Sequence, residues 1–286
     1  KRGKVPDPDQ RSFINSAVCE GCGDCSAQSN CMSIEPLPTE LGRKRRINQS
    51  SCNKDFSCVE GFCPSFVTVH GATPRRGKAR ALPESDLALP EAALPALDGA
   101  RPYGVLVTGI GGTGVVTVGA ILGMAAHLDG KVASTLDVTG LAQKYGAVMS
   151  HIRIAADAAQ LQSTRLAAGE ADLLVGCDLV VSAGDEALSK FRAGRTRVVV
   201  DTSVAPTSEF TRNPDWQLDA QALQQRIAAA AGGDAQLALV EATRLAVALM
   251  GDTIAANLFL LGFAWQRGWL PVARAAIERA IALNGV

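Results

Sequence analysis

Seven of the eight cysteines fall between Cys19 and Cys63, and only Cys177 stands outside that stretch. This density constrains the first quarter of the chain more than any other feature. Residues 1–70 carry few apolar residues at regular spacing and cannot build much of a core alone. A segment of that size needs covalent or metal staples. Charge divides the chain at the same place. Residues 1–80 hold 13 Lys+Arg and 8 Asp+Glu, leaving 15 and 20 of the 28 of each sign to the remainder. Between the parts, residues 71–100 contain Pro74, Pro83, Pro90 and Pro95 and the basic run Arg75-Arg76-Gly77-Lys78, which reads as an extended linker. The whole, 286 residues with zero net charge, suggests about two domains at roughly 150 residues each. That balance argues against a chain-wide nucleic-acid footprint. No apolar run reaches the ~18 residues of a membrane helix without a charge, which argues against a membrane partner. The chain begins Lys1-Arg2-Gly3 without Met or a signal-like segment, so the expectation is a cytoplasmic fragment of something longer.

From Tyr103 onward, strand and helix patterns alternate. Tyr103–Thr108, Val132–Asp137 and Val148–Ile154 read as strands, Leu173–Val175 and Leu179–Ser182 as short apolar runs, and Arg197–Asp201 as the clearest buried strand. Three consecutive Val there suit a sheet covered on both faces. Thr113–Leu128, Glu186–Arg192, Ala220–Ala230, Val240–Met250, Thr253–Arg267 and Val272–Leu283 read as helices, with Pro271 placed as a first-turn proline. The expected fold class is α/β with a largely parallel sheet, preceded by the small cysteine segment. The expected domains are 1–70, linker 71–100 and 101–286.

Cys19, Cys22 and Cys25 follow C-x2-C-x2-C, and Cys63 is followed at once by Pro64. A tight triplet plus a distant Cys-Pro is the ligand pattern of a [4Fe–4S] cluster, so these four thiols are assigned to one cluster. Cys31, Cys52 and Cys58 remain, one ligand short. Cys52–Cys58 reads C-x2-D-x2-C, with Asp55 where a middle cysteine belongs. A carboxylate is a harder and weaker ligand for iron than thiolate. The second site is therefore either [4Fe–4S] with an Asp55 ligand or [3Fe–4S] with that corner empty. Cys58-x4-Cys63 and Cys25-x5-Cys31 are longer than the usual spacing. Two alternatives stand beside this reading. A disulfide framework conflicts with an odd cysteine count, and zinc favours separated C-x2-C pairs over a triplet. Cys177, in an apolar stretch, reads as an inert core thiol.

Gly109-Ile110-Gly111-Gly112-Thr113-Gly114 matches G-x-G-x-x-G between a strand and a helix, and Asp137 lies at the end of a second strand. Gly109, Gly111, Gly112 and Gly114 are thus candidate phosphate contacts, and NAD or flavin is a candidate cofactor. A plain strand-to-helix turn needing glycines for packing explains the same residues equally well. His151 and Arg153 read as the polar face of a strand. Arg43–Arg46 reads as a solvated loop, or as an attractor for an acidic partner. Trp265 and Trp269 read as packing.

Four stretches of the first part resemble the ferredoxin-like segment of indolepyruvate ferredoxin oxidoreductases of the large fused bacterial kind. They are Cys19–Cys25 (CEGCGDC), Arg43–Arg46 (RKRR), Gln49–Asp55 (QSSCNKD) and Gly61–Val67 (GFCPSFV). The second part resembles the gamma domain of 2-oxoacid ferredoxin oxidoreductases in Gly109–Val116, Gly140–Gly146, Ser150–Arg153, Ala256-Asn257, Leu261-Gly262 and Ala280–Gly285. The resemblance implies a three-layer parallel-sheet gamma domain. It also implies oxidative decarboxylation of an aryl 2-oxoacid, indole-3-pyruvate, with thiamine diphosphate and Mg, acyl transfer to coenzyme A and electrons passed through Fe–S clusters to ferredoxin. It demotes NAD and leaves a coenzyme A contact at Gly111–Gly114 open. No Gly-Asp pair beyond the cysteine segment (Gly184-Asp185, Gly233-Asp234, Gly251-Asp252) is followed by Gly, so the thiamine motif is missing. The expected partner is a thiamine-binding portion or subunit of the same enzyme.

Overall fold

The computed structural model describes residues 8–71, 89–97, 99–140, 146–213 and 215–285. Residues 72–88 of the expected linker, the first seven residues, and 141–145 of the Gly140–Gly146 motif lie outside that set.

The chain divides into two compact units. One comprises Lys1–Arg76 together with Ala205–Leu218, and the other Gly77–Val204 with Asp219–Val286. The sequence reading placed all of residues 101–286 in one domain. The chain instead lends a fourteen-residue excursion from the middle of that stretch to the cysteine-bearing unit.

In the first unit, β1 (Gln10–Ile14) pairs antiparallel with β4 (Phe66–His70), and β2 (Ile34–Thr39) with β3 (Gly42–Ile47). One short helix, α1 (Asp24–Ser29), lies between β1 and β2. Their buried apolar side chains are few: Ile34 and Ile47 in the β2–β3 ribbon, with Arg11 and Ser12 the buried residues of β1.

The second unit is built on a six-stranded sheet. Its strands are β5 (Tyr103–Ile110), β6 (Val132–Thr139), β7 (Ala147–Ala155), β8 (Leu173–Gly176), β9 (Arg197–Asp201) and β10 (Leu237–Val240), in the order β10-β9-β8-β5-β7-β6. The pairs from β10 to β5 are parallel, whereas β5–β7 and β7–β6 are antiparallel. The sheet is thus parallel over its β10–β5 half, and one antiparallel strand separates β5 from β6. The helices are α2 (Val115–Leu128), α3 (Leu179–Ser182), α4 (Asp185–Leu188), α5 (Ser208–Arg212), α6 (Ala220–Ala231), α7 (Ala242–Met250), α8 (Ala256–Gln266) and α9 (Arg274–Asn284), with α5 inside the excursion.

Alternation along the strands sorts the core into two layers. Val199, Val105, Val107 and Ile152 pack with α2, α7, α8 and α9. Val198, Val200, Leu106 and Met149 pack with α3 and α6. Consecutive Val198–Val200 therefore serve both faces, as a doubly covered strand requires. Trp265 and Trp269 are buried in the first layer, and Trp265 Nε1 donates to Val272 O at 3.1 Å. Two elements differ from the expectation. Leu179–Ser182 is a helical turn, because the Asp178 carboxylate caps it by accepting from Val181 N–H at 2.8 Å. Leu237–Val240 is an edge strand, so helix α7 starts two residues after the expected Val240. Among the described residues no helix is long and apolar enough to cross a membrane.

Candidate metal centre

Cys19, Cys22, Cys25 and Cys63 line one cavity of about 300 Å³ in the first unit. Local conformation brings the triplet there. Gly21 and Gly23 adopt φ of 79° and 88°, left-handed values that glycine takes without strain. A Cβ on Gly21 would sit 2.3 Å from the Arg43 carbonyl oxygen, so only glycine lets the Cys19–Cys25 turn lie against β3. Gly21 N–H donates to Cys19 Sγ at 3.4 Å, and Cys63 Sγ lies 3.0 Å from Ser65 Oγ. Cys19 is buried and Cys22 exposed, so the cavity opens on one side. Burial pushes the Cys25 thiol up from its ordinary value.

Cys31, Cys52 and Cys58 form the second grouping. The Cys58 thiol is pushed up to about 11, first by burial and then by charge at Cys31, Cys52 and Asp55, so these groups share one neighbourhood. Cys58 also lines the first cavity and stands between the two sets. Asp55 is held by its own turn: Oδ2 accepts from Asn53 Nδ2 at 2.7 Å, and Oδ1 from Ser57 N–H and Oγ at 3.2 and 3.0 Å. Lys54 and Phe56, on either side of it, adopt φ of 60° and 61°. Left-handed conformation at two non-glycine residues costs of order 1–3 kcal/mol each, and such strain clusters at ligand-holding segments. Among the described residues no three His, Cys, Asp or Glu side chains converge on a point where they could hold a single metal ion.

Arg43–Arg46 is not a solvated loop. It is the body of β3, and strand alternation turns Arg45 and Ile47 inward while Arg46 stays exposed and pairs with Glu35 at 3.0 Å. Arg45 is 1% exposed, lines the cysteine cavity, and lies with its guanidinium 4.8 Å from the Phe210 ring centroid. Burial and the neighbouring Arg43 lower its pKa, while Cys25, Cys19 and Cys22 oppose that shift. The sequence reading missed this residue. The signal was the alternation of Arg43, Arg45 and Ile47, hidden by the run of like charge.

Packing or backbone conformation requires glycine at three of the four glycines in the second unit's loop, Gly109, Gly112 and Gly114. A Cβ on Gly109 would sit 2.7 Å from Val115 Cγ2. Gly111 N–H donates to Gly146 O at 2.8 Å. Gly112 and Gly114 adopt φ of 91° and 102°. Asn257, buried at the start of α8, donates through Nδ2 to Thr113 O at 3.0 Å and fixes the loop from the end of the chain distant in sequence. Asp137 lies on β6, two strands from β5 and thus about 10 Å away across the intervening β7. In a dinucleotide site the acid sits on the strand next to the glycine strand, so insertion of β7 takes the carboxylate out of that arrangement.

The strand face carrying His151 and Arg153 is covered rather than polar. His151 is fully buried, and its Nδ1 accepts from Leu166 N–H at 3.3 Å. Arg153 pairs with Glu170 at 2.8 Å. Cys177 packs against the first core layer, where burial pushes its thiol far up, in keeping with an inert side chain.

Residues 104–284 match the family model described as pyruvate ferredoxin/flavodoxin oxidoreductase. The chain belongs to that family. The matched range begins after the cysteine segment. Subunit IorB of indolepyruvate oxidoreductase from Pyrococcus horikoshii is 22% identical over 190 residues, covering 64% of this chain and 87% of that protein. The same subunit from Thermococcus kodakarensis is 29% identical over 80 residues, covering 28% of this chain and 38% of that protein. The chain therefore spans well under two thirds of the Thermococcus relative. Pyruvate oxidoreductase subunit PORC from Thermotoga maritima is 17% identical with a TM-score of 0.46, over 64% of this chain and 85% of that one. The α/β unit is the part of this chain that carries pyruvate ferredoxin/flavodoxin oxidoreductase family membership.

Proposed function

We propose that this chain is the electron-transfer and gamma portion of a thiamine-dependent 2-oxoacid:ferredoxin oxidoreductase acting on an aryl 2-oxoacid, indole-3-pyruvate. The observation that carries the electron-transfer reading is the cavity shared by Cys19, Cys22, Cys25 and Cys63. Its volume of about 300 Å³ is many times the roughly 10–15 Å³ that one water needs. Four thiols spread around such a space fit a polynuclear iron–sulfur group better than one ion. These four residues would hold the first cluster. Cys31, Cys52 and Cys58, with Asp55 at the fourth position, would hold the second. Bound clusters supply one-electron transfer. The chain's own residues bind through thiolate, shape the entrance with Gly21 and Gly23, and limit water with the buried Cys19 and Ser65. The aryl 2-oxoacid assignment rests on the IorB relatives and on the resemblance of the cysteine segment. Thiamine diphosphate, Mg and coenzyme A belong to the complete enzyme, whose thiamine-binding portion and ferredoxin are the partners. Any phosphate contact at the glycine loop falls to Gly112 and Gly114, since packing and Gly146 occupy Gly109 and Gly111.

Oxygen-free purification tests this reading. The expected product is brown and holds about seven to eight iron atoms per chain. Mild oxidation converts only the second cluster to a three-iron form with an EPR signal, and Asp55→Cys blocks the conversion. Stoichiometric zinc without visible absorption overturns the cluster assignment. An unchanged oxidised spectrum in Asp55→Cys reduces Asp55 to the turn-forming carboxylate its hydrogen bonds already describe.

A further inference from the structure

We propose that Arg45 makes the Cys19–Cys22–Cys25–Cys63 site the higher-potential of the chain's two cluster sites, so that an electron shared between them rests on the first. The inference deepens the reading above and rests on both sites holding clusters.

Arg45 lines the cysteine cavity and is 1% exposed, so its fixed positive charge is not diluted by bulk water. The Phe210 ring, 4.8 Å from the guanidinium, covers it from within the same unit. Its electrostatic neighbours include Cys25, Cys19 and Cys22. Guanidinium keeps its proton at all working pH, so the charge is constant. One-electron reduction adds one negative charge to a cluster without making or breaking a bond to carbon and without a proton. A nearby buried cation stabilises the more negative state, and the low effective dielectric strengthens the effect. The amide of Gly21, donating to Cys19 Sγ at 3.4 Å, acts in the same direction.

Of the second set only Cys58 lines the cavity that holds Arg45, whereas Cys31, Cys52 and Asp55 do not. The buried guanidinium therefore acts on the second site more weakly than on the first. In transfer from second to first site, the second cluster is oxidised by one electron and the first reduced by one, and the unequal placement about Arg45 sets the direction.

A purely structural Arg45, closing β3 against Phe210, would affect folding or iron content and leave a potential untouched. The full chain, purified without oxygen, is therefore titrated by EPR-monitored potentiometry. Two midpoints are expected. Cys22→Ala removes the higher and leaves the lower. Arg45→Met lowers the higher midpoint by a tenfold change in the reduction equilibrium, ~59 mV for a one-electron couple, and does not move the lower. Arg45→Lys, which keeps the charge, retains most of the original value. An unshifted midpoint in Arg45→Met with both clusters present overturns the inference, as does loss of the lower midpoint in Cys22→Ala. If Arg45→Met fails to hold the first cluster, the Cys22→Ala comparison decides with Arg45 intact. A wild-type chain that binds no iron overturns the cluster reading itself, which iron analysis distinguishes from either result.

Discussion

His151 shows how one buried side chain couples the α/β unit to pH. Its Nδ1 accepts from Leu166 N–H, so the folded ring is neutral, and Nε2 has no hydrogen-bond partner among the described residues. Burial lowers its pKa from the ordinary 6.5. Lys190 and Arg165 act in the same direction, against a smaller opposing effect from Glu186. The unfolded chain therefore binds the proton first. Stability is full above about 6.5 and is lost as pH falls from there toward the depressed folded value. His151→Gln, which cannot take up that proton, is expected to flatten the pH dependence of the urea midpoint in this window. An unchanged slope would show that other groups carry it.

At the scale of elements, α2 lies unusually close to the strands beneath it. A Cβ on Gly119 would fall 2.2 Å from Ser150 Oγ and 3.1 Å from Ser150 Cβ, and one on Gly123 would fall 3.1 Å from Thr135 Cγ2. These two glycines, four apart, share a helix face and let α2 seat on β7 and β6. Alanine is the better helix former by about 1 kcal/mol, yet overpacking typically costs about 1–3 kcal/mol. Gly119→Ala is thus expected to lower the denaturation midpoint, and Ser150→Gly in the same chain to restore part of it. A stabilised Gly119→Ala chain would mean that α2 can lift without loss. The same close seating explains why helix periodicity alone reads α2 as an apolar helix without indicating the face that needs glycine.

Across the whole molecule, sequence order and structural membership part company at Ala205–Leu218. Phe210 lies in this excursion, is nearly fully buried, and covers Arg45, while Arg43 donates to Trp216 O at 3.2 Å. Truncating a buried Phe costs about 3–5 kcal/mol. Phe210→Ala is therefore expected to accelerate amide exchange in β2 and β3 while leaving β5, β8 and β9 protected, although Phe210 is far nearer in sequence to β9. Lost protection in β9 with β3 unaffected would return the excursion to the α/β unit.

The sequence determined what depends on near neighbours. The Cys19–Cys25 spacing, the Val198–Val200 run and the G-x-G-x-x-G turn announce a thiol cluster, a doubly covered strand and a strand-to-helix junction, because each is fixed by residues a few positions apart. The tertiary structure decided what depends on pairing across long separations. β7 joins β5 by hydrogen bonds that no local pattern encodes, and that insertion moves Asp137 away from the glycine loop. Arg45 looks like one more charge in a basic run until β2 and Phe210 close over it. Burial of a charge is set by what arrives from elsewhere in the chain, and only the folded arrangement supplies that.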